Sequence, residues 1–167
     1  VKTLYIIRHA KSSWNDPALD DFDRPLNDRG KRDAPRMGKR LKEKNVFPDL
    51  MLSSPAKRAF ATARRIGKEL KYKKDDIKTD RRLYHADEEI ILDVIRGVKD
   101  KHNVVMVFGH NPGLTEFVNT LQDKEQDIDN IPTCGIAAFQ LDIDSWKDIN
   151  WGKGRMLFFD YPKSKED

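Results

Sequence analysis

The chain has 167 residues, 36% of them charged, and 32 Lys and Arg against 28 Asp and Glu give a formal net charge of +4. That length fits one domain, expected over residues 1–167, with a core of its own, and the mild charge disfavours a nucleic-acid partner. The longest wholly apolar run is five residues, Val104–Phe108, against the roughly 20 that a membrane-spanning helix needs, and the one cysteine, Cys134, excludes an internal disulfide and a cysteine-rich metal site.

In chain order, Thr3–Ile7 is a short apolar run of β-forming residues and is predicted as a strand. Ser12–Gly30 carries Pro17, Pro25 and several Asp and is predicted as a long loop. Lys31–Lys44 is predicted as a helix whose start Pro35 kinks or delays. Asp49–Ser53 is a second strand. Ser54-Pro55 reads as a helix start, with Ser as N-cap and Pro in the first helical position. The helix that follows carries Ala59, Ala63, Ile66 and Leu70 on one face.

Lys78–Leu83 is a candidate short strand. Asp87–Lys99 has Ile90, Ile91, Val94, Ile95 and Val98 at helical spacing. Val104–Phe108 suits a strand covered on both faces. Asn111-Pro112 opens a helix with Leu114, Phe117, Val118 and Leu121. Phe139, Leu141 and Ile143 alternate with polar residues and predict a half-exposed strand; Arg155–Tyr161 predicts another. The pattern specifies an α/β fold. It is a three-layer α/β/α sandwich with a mostly parallel central sheet and antiparallel strands near the C-terminus.

Three strand ends carry related chemistry. The first is followed by Arg8-His9-Ala10-Lys11, the second by Ser53-Ser54-Pro55 and then Arg58, the third by Gly109-His110-Asn111-Pro112. Ligands of open α/β sheets sit beyond the carboxyl ends of parallel strands. Two of these loops also open helices, whose N-terminal N–H groups favour anions. Each residue alone reads as a solvated arginine or a structural histidine. Their shared end of the sheet points to a phosphate site.

These motifs resemble the histidine phosphatase superfamily, which includes the cofactor-dependent phosphoglycerate mutases. The resemblance is carried by Leu4–Lys11, by Arg24-Pro25-Leu26-Asn27-Asp28-Arg29-Gly30, by Ser53-Ser54-Pro55 through Arg58, Ala59, Thr62 and Ala63, and by Gly109-His110-Asn111-Pro112. It spans about Thr3 to Leu121 and looks most like the small phosphohistidine-phosphatase branch. The resemblance implies a phosphoglycerate mutase-like α/β/α domain with no metal and no cofactor. It implies His9 as the nucleophile that becomes phosphorylated, with Arg8, Arg58 and His110 clamping the phosphoryl oxygens. Asn15 matches an Asn that often follows this motif and is a candidate phosphate donor. Asn111 is another, with an alternative role as helix N-cap. Lys11 either enriches the local field or is solvated.

The pattern departs from the family in two places. Ala10 stands where Gly is usual. Many relatives place a Glu or Asp after the third strand as general acid, whereas Tyr84 or His85 aligns here, and Asp87–Glu89 reads as a first helical turn. His102 receives no role. The acidic loop of Asp16, Asp20, Asp21 and Asp23 lacks metal-site spacing and reads as solvated. About 30 residues separate the Arg58 helix from the Val104 strand, leaving no room for a cap over the site.

The expected function is therefore a metal-independent phosphatase working through a phosphohistidine enzyme intermediate. Its partner would be a phosphorylated protein bearing phosphohistidine, or a small phosphorylated substrate. A non-catalytic phosphate-recognition module on the same fold is the alternative, and His9 discriminates between them. With one free thiol and no leader-like segment ahead of the first motif, a cytoplasmic location is expected, with no membrane partner; the oligomeric state is left open.

Overall fold

The computed structural model describes residues 1–165. One six-stranded sheet forms the middle layer. In chain order its strands are β1 (Lys2–Arg8), β2 (Leu50–Ser53), β3 (Lys78–Thr79), β4 (Val104–Gly109), β5 (Ile136–Leu141) and β6 (Arg155–Asp160). The spatial order is β3-β2-β4-β1-β5-β6. The first four in that order pair in parallel, and β5 and β6 join antiparallel. The longer helices are α1 (Asp28–Glu43), α2 (Lys57–Glu69), α3 (Glu88–Arg96) and α4 (Gly113–Leu121).

Alternation along the central strands divides the core in two. Leu4, Ile6, Val105 and Val107 face Ile91, Ile95, Phe117 and Val118 of α3 and α4. Tyr5, Ile7, Met106 and Phe108 face Ala34, Met37, Leu41 and Ile66 of α1 and α2. Because successive side chains in a strand point to opposite faces, the middle of each strand, Leu4–Ile7 in β1 and Val105–Phe108 in β4, is apolar on both. Full burial of each such side chain contributes about 1.5–3 kcal/mol. The three-layer α/β/α fold follows. Among the described residues no helix is long and apolar enough to cross a membrane.

Several local expectations are corrected. Helix α1 begins at Asp28, before Pro35 rather than after a delay, because the Asn27 side chain caps it by accepting from the Gly30 N–H at 2.9 Å. A good cap outweighs one missing N–H further along. The predicted Ser12–Gly30 loop accordingly ends sooner, and it contains a 3-10 turn at Asp21–Asp23 and a bridge between Ser12 and Leu26. Ser54 does not cap α2; that position is Ala56, which has no capping side-chain bond. Only Lys78–Thr79 of the Lys78–Leu83 stretch is strand, and Arg81–Leu83 is a 3-10 turn. Helix α3 is shorter than Asp87–Lys99, with Asp87 as its N-cap accepting from Ile90 N–H. The strand predicted as half-exposed starts at Ile136, ends at Leu141 and is mostly buried. Its side chains alternate between the two cores, Ala137, Phe139 and Leu141 in one and Ile136 and Ala138 in the other, so both of its faces are covered.

The loop after β1 is held by a close backbone approach. A Cβ at Gly30 would stand 2.2 Å from the Lys11 carbonyl oxygen, and that same oxygen accepts from Asn27 N–H at 3.0 Å. Gly30→Ala is therefore expected to lower the unfolding free energy in urea by about 1–3 kcal/mol, as overpacking typically does. Gly97→Ala, whose Cβ would meet nothing nearer than the Val94 carbonyl at 3.4 Å, is expected to change it far less.

Candidate active site

The site grows out of a backbone register. In the parallel pairing of β1 with β4, Arg8 lies opposite Gly109, so His9 and His110 leave the sheet side by side. The His9 N–H donates to the Gly109 carbonyl at 3.2 Å and the Ser54 N–H to the Phe108 carbonyl at 2.9 Å. Three strand ends are thus tied together, and the two imidazole centres lie 5.3 Å apart. Arg58, in the first turn of α2, reaches the same place. The expectation that Arg8, His9, Arg58 and His110 share one crevice describes the geometry found.

These four residues line a cavity of about 260 Å³ together with Lys11, Ser12, Trp14, Asp21, Arg24, Asn111 and Thr133. Four cationic side chains face one carboxylate. Among the described residues, the buried side-chain polar atoms without a hydrogen-bond partner are Arg8 Nε, Arg24 Nε and Nη1, Arg58 Nε and His110 Nδ1. Every one belongs to a residue of this lining. A buried unsatisfied donor costs about 1–3 kcal/mol, so such a convergence is the mark of a site built for an acceptor. An anion with several oxygens fits that need.

His9 is 7% exposed. Its Nδ1 lies 2.7 Å from the Ala10 carbonyl oxygen. A carbonyl only accepts, so Nδ1 carries the proton and Nε2 presents its lone pair to the cavity. Burial holds the His9 pKa down to about 4, opposed by the bond to Ala10 and reinforced by Arg58, Arg8 and Arg24. His110 is held down to about 3, by burial first and then by His9 and Arg58. Its Nε2 lies 2.8 Å from Ser54 Oγ, which is where the residue expected to cap α2 is used instead.

The arginines are fixed from behind. Arg8 Nη1 donates to the Ile131 carbonyl at 2.9 Å. Arg58 Nη1 donates to the Asp21 backbone carbonyl at 2.6 Å and its Nη2 to Asp21 Oδ2 at 3.0 Å. Arg24 lies with Cζ 3.4 Å from the centre of the Trp14 ring, and its Nε is 3.3 Å from Asp21 Oδ1 in an ion pair.

Two proposed ligands sit differently. Asn15 is exposed and outside the cavity lining, with its backbone N–H donating to Ser13 Oγ. Asn111 lines the cavity but spends its amide internally. Its Oδ1 accepts from Thr115 N–H and Oγ1, and its Nδ2 donates to Asn130 and the Ile131 carbonyl. That is the capping alternative, adapted to α4. Lys11 does line the cavity.

Sequence reasoning missed Asp21 and Arg24. Arg24 opens the Arg24–Gly30 stretch, which by itself points to no role for it. Asp21 lies in an acidic loop whose composition reads as solvated, and the structure corrects that reading for this residue. Its carboxylate accepts from Arg58 and also from the Tyr84 hydroxyl at 2.6 Å. Nothing in the sequence separates it from Asp20 or Asp23; only the 3-10 turn aims it inward. Tyr84 packs edge-on against His110 at 5.5 Å, while His85 stacks on the Tyr84 ring at 3.9 Å and takes no place in the lining. Among the described residues no three His, Cys, Asp or Glu side chains gather as a metal-ligand set.

The lowered imidazole pKa values set a direction for pH effects. Between 6.5 and about 4 the unfolded chain takes up protons that folded His9 and His110 refuse. Their contribution to folding is complete above pH 6.5 and is lost as pH falls through that window. The acid limb of kcat/KM, which reports free-enzyme groups, is expected near pH 4 rather than 6.5. A pH–rate profile with a wide-range buffer checks this.

Comparison with known proteins agrees with the geometry. Residues 4–91 match the profile of the histidine phosphatase superfamily (branch 1). An uncharacterized protein of Mycobacterium tuberculosis is 29% identical over 165 residues, covering 94% of this chain and all of that one. A 2,3-bisphosphoglycerate-dependent phosphoglycerate mutase of Bifidobacterium longum is 42% identical over 64 residues, 36% of this chain and 25% of its own. Among solved structures, a candidate phosphohistidine phosphatase, SixA, from Agrobacterium tumefaciens superposes with a TM-score of 0.81 at 28% identity, covering 96% of this chain and 98% of that one. The protein histidine phosphatase SixA in complex with tungstate shares the fold at a TM-score of 0.81 and 23% identity, covering 96% of this chain and 97% of its own. With the paired histidines, the converging arginines and a profile match over half its length, the chain belongs to the histidine phosphatase superfamily (branch 1).

Proposed function

We propose that this phosphatase of the histidine phosphatase superfamily hydrolyses phosphohistidine in proteins, without a metal, through a phosphorylated His9. The observation that carries the reading is the gathering of unpartnered buried guanidinium donors of Arg8, Arg24 and Arg58, with His110 beside them, around the cavity that holds His9. Phosphoryl transfer asks mainly for in-line positioning and for positive donors around three oxygens. Those donors are in place before any substrate arrives, so little reorganisation accompanies the reaction.

The steps follow from the atoms. His9 Nε2 attacks phosphorus and a P–Nε2 bond forms while the bond to the leaving group breaks. Water then attacks the phosphoryl group on His9, releasing inorganic phosphate and returning the lone pair to Nε2. Throughout, Nδ1–H stays on the Ala10 carbonyl. A module that only bound phosphate would have no need of a buried imidazole held neutral with Nε2 forward. The similarity to the SixA structure of Agrobacterium tumefaciens supports phosphohistidine as the substrate, and an uncapped cavity suits a side chain carried on another protein.

Brief incubation with radiolabelled phosphoramidate followed by an alkaline quench is expected to leave label on His9, and His9→Ala to leave none with the fold intact. Arg58→Lys, which replaces a guanidinium fork by a point charge, is expected to lower kcat/KM by about 100- to 1,000-fold, the loss typical of one positioned donor. Normal rates with His9→Ala would remove the nucleophile from the mechanism.

Excess EDTA is expected to leave turnover of p-nitrophenyl phosphate unchanged. Loss of activity on chelation, restored by a divalent ion, would contradict the metal-independent course.

A further inference from the structure

One carboxylate faces into a cavity otherwise built for an anion. Asp21 belongs to the 3-10 turn Asp21–Asp23, next to the four cations of the lining. Its side chain is 42% exposed while that of Arg58 is 7%. Asp21 is thus the more open to solvent of the pair, and Arg58, like His9, is enclosed. In-line attack by Nε2 drives the leaving group away from His9 and out of the enclosed part of the cavity. Resting on the phosphatase reading above, we infer that Asp21 selects substrates by their leaving group, its carboxylate accepting from the N–H of a departing imidazole.

The carboxylate has capacity for this contact. Oδ2 accepts from Arg58 Nη2 and from the Tyr84 hydroxyl. Oδ1 has only the ion pair with Arg24 Nε at 3.3 Å. An ionised carboxylate offers about four lone-pair sites, so Oδ1 has room for a donor. Hydrogen bonds from Tyr84 and Arg58 and the nearby guanidinium charges outweigh partial burial and hold the Asp21 pKa down to about 2. At neutral pH it accepts protons' hydrogen bonds and has no proton to give.

The consequences differ between leaving groups. A phosphoimidazole carries its phosphoryl group on one ring nitrogen, and in the cationic form a proton on the other. Asp21 accepting from that N–H favours the cationic ring. When the P–N bond breaks, its electron pair goes to the ring nitrogen and cancels the positive charge. The imidazole departs neutral with the N–H still in place, and no general acid is consumed. An alkoxide needs a proton that Asp21 does not hold. A nitrophenolate develops negative charge beside a negative carboxylate.

A structural role is distinguishable from a selective one. Asp21 also holds both terminal nitrogens of Arg58, and loss of that hold would weaken binding of any phosphoryl group. The readout is therefore the ratio of kcat/KM for phosphoimidazole to kcat/KM for p-nitrophenyl phosphate, since both present the same phosphoryl group. Asp21→Asn is expected to lower this ratio by about 10- to 100-fold, the range for a hydrogen bond to a charged group. Asp21→Glu, which keeps the charge, is expected to keep the ratio nearer the wild-type value than Asp21→Asn does. A ratio unmoved in Asp21→Asn, with both rates reduced alike, would reduce Asp21 to a positioning residue for Arg58 and overturn the inference. Wild-type enzyme that turns over p-nitrophenyl phosphate but not phosphoimidazole would overturn the phosphohistidine reading itself, a result visible before any variant is made.

Discussion

The parallel pairing of β1 with β4 is the constraint on which the site depends. Its register sets Arg8 against Gly109, so the chain leaves both strands at one level and two histidines emerge side by side. A slip of one residue would turn Ile6 and Ile7 to the wrong faces, exchanging the two cores. Burial of those side chains thus enforces the register, and the register places the imidazoles. The apolar faces that stabilise the sheet and the geometry of the site are one requirement.

The cavity concentrates positive charge where water is scarce. Several of its donors have no partner in the protein, a cost that the two surrounding apolar cores offset. What limits the mutual repulsion of the cations is a set of fixed acceptors behind them. The Ile131 carbonyl holds Arg8, the Asp21 backbone and carboxylate hold Arg58, and the Trp14 ring lies against Arg24. Guanidinium groups anchored in this way leave one edge forward and have little freedom to lose when an anion enters. Neutral imidazoles complete the arrangement, because the desolvation that would penalise an imidazolium keeps the His9 lone pair available.

The loop between β1 and α1 ties the cavity to the scaffold. It runs from the motif histidine to the Asn27 cap of α1, is pinned by the Ser12–Leu26 bridge, and presses Gly30 on Lys11. Its acidic composition looks like that of any solvated loop, yet its 3-10 turn delivers one carboxylate to the site. The same loop supplies Trp14, 73% accessible and part of the cavity lining.

The sequence by itself determined the layers, the parallel strands and the end of the sheet that carries the chemistry. Those depend on local periodicity and on which residues follow each apolar run, as in Ile7-Arg8-His9 and Phe108-Gly109-His110, and both are written along the chain. Its misreadings were of partners. Ser54, in a sequence position suited to capping, faces His110; Asn111, a candidate phosphate donor, is engaged by Thr115 and Ile131; Asn15 lies outside the cavity; the strand at Phe139 is covered because its two faces enter the two cores. Asp21 is the plainest case. One carboxylate among neighbours such as Asp20 and Asp23 is chosen by a turn of 3-10 backbone and by Arg58 and Tyr84, which lie 37 and 63 residues away in the chain. A side chain's hydrogen-bond partner is settled by distances of about 3 Å between segments, and only the tertiary structure sets those distances.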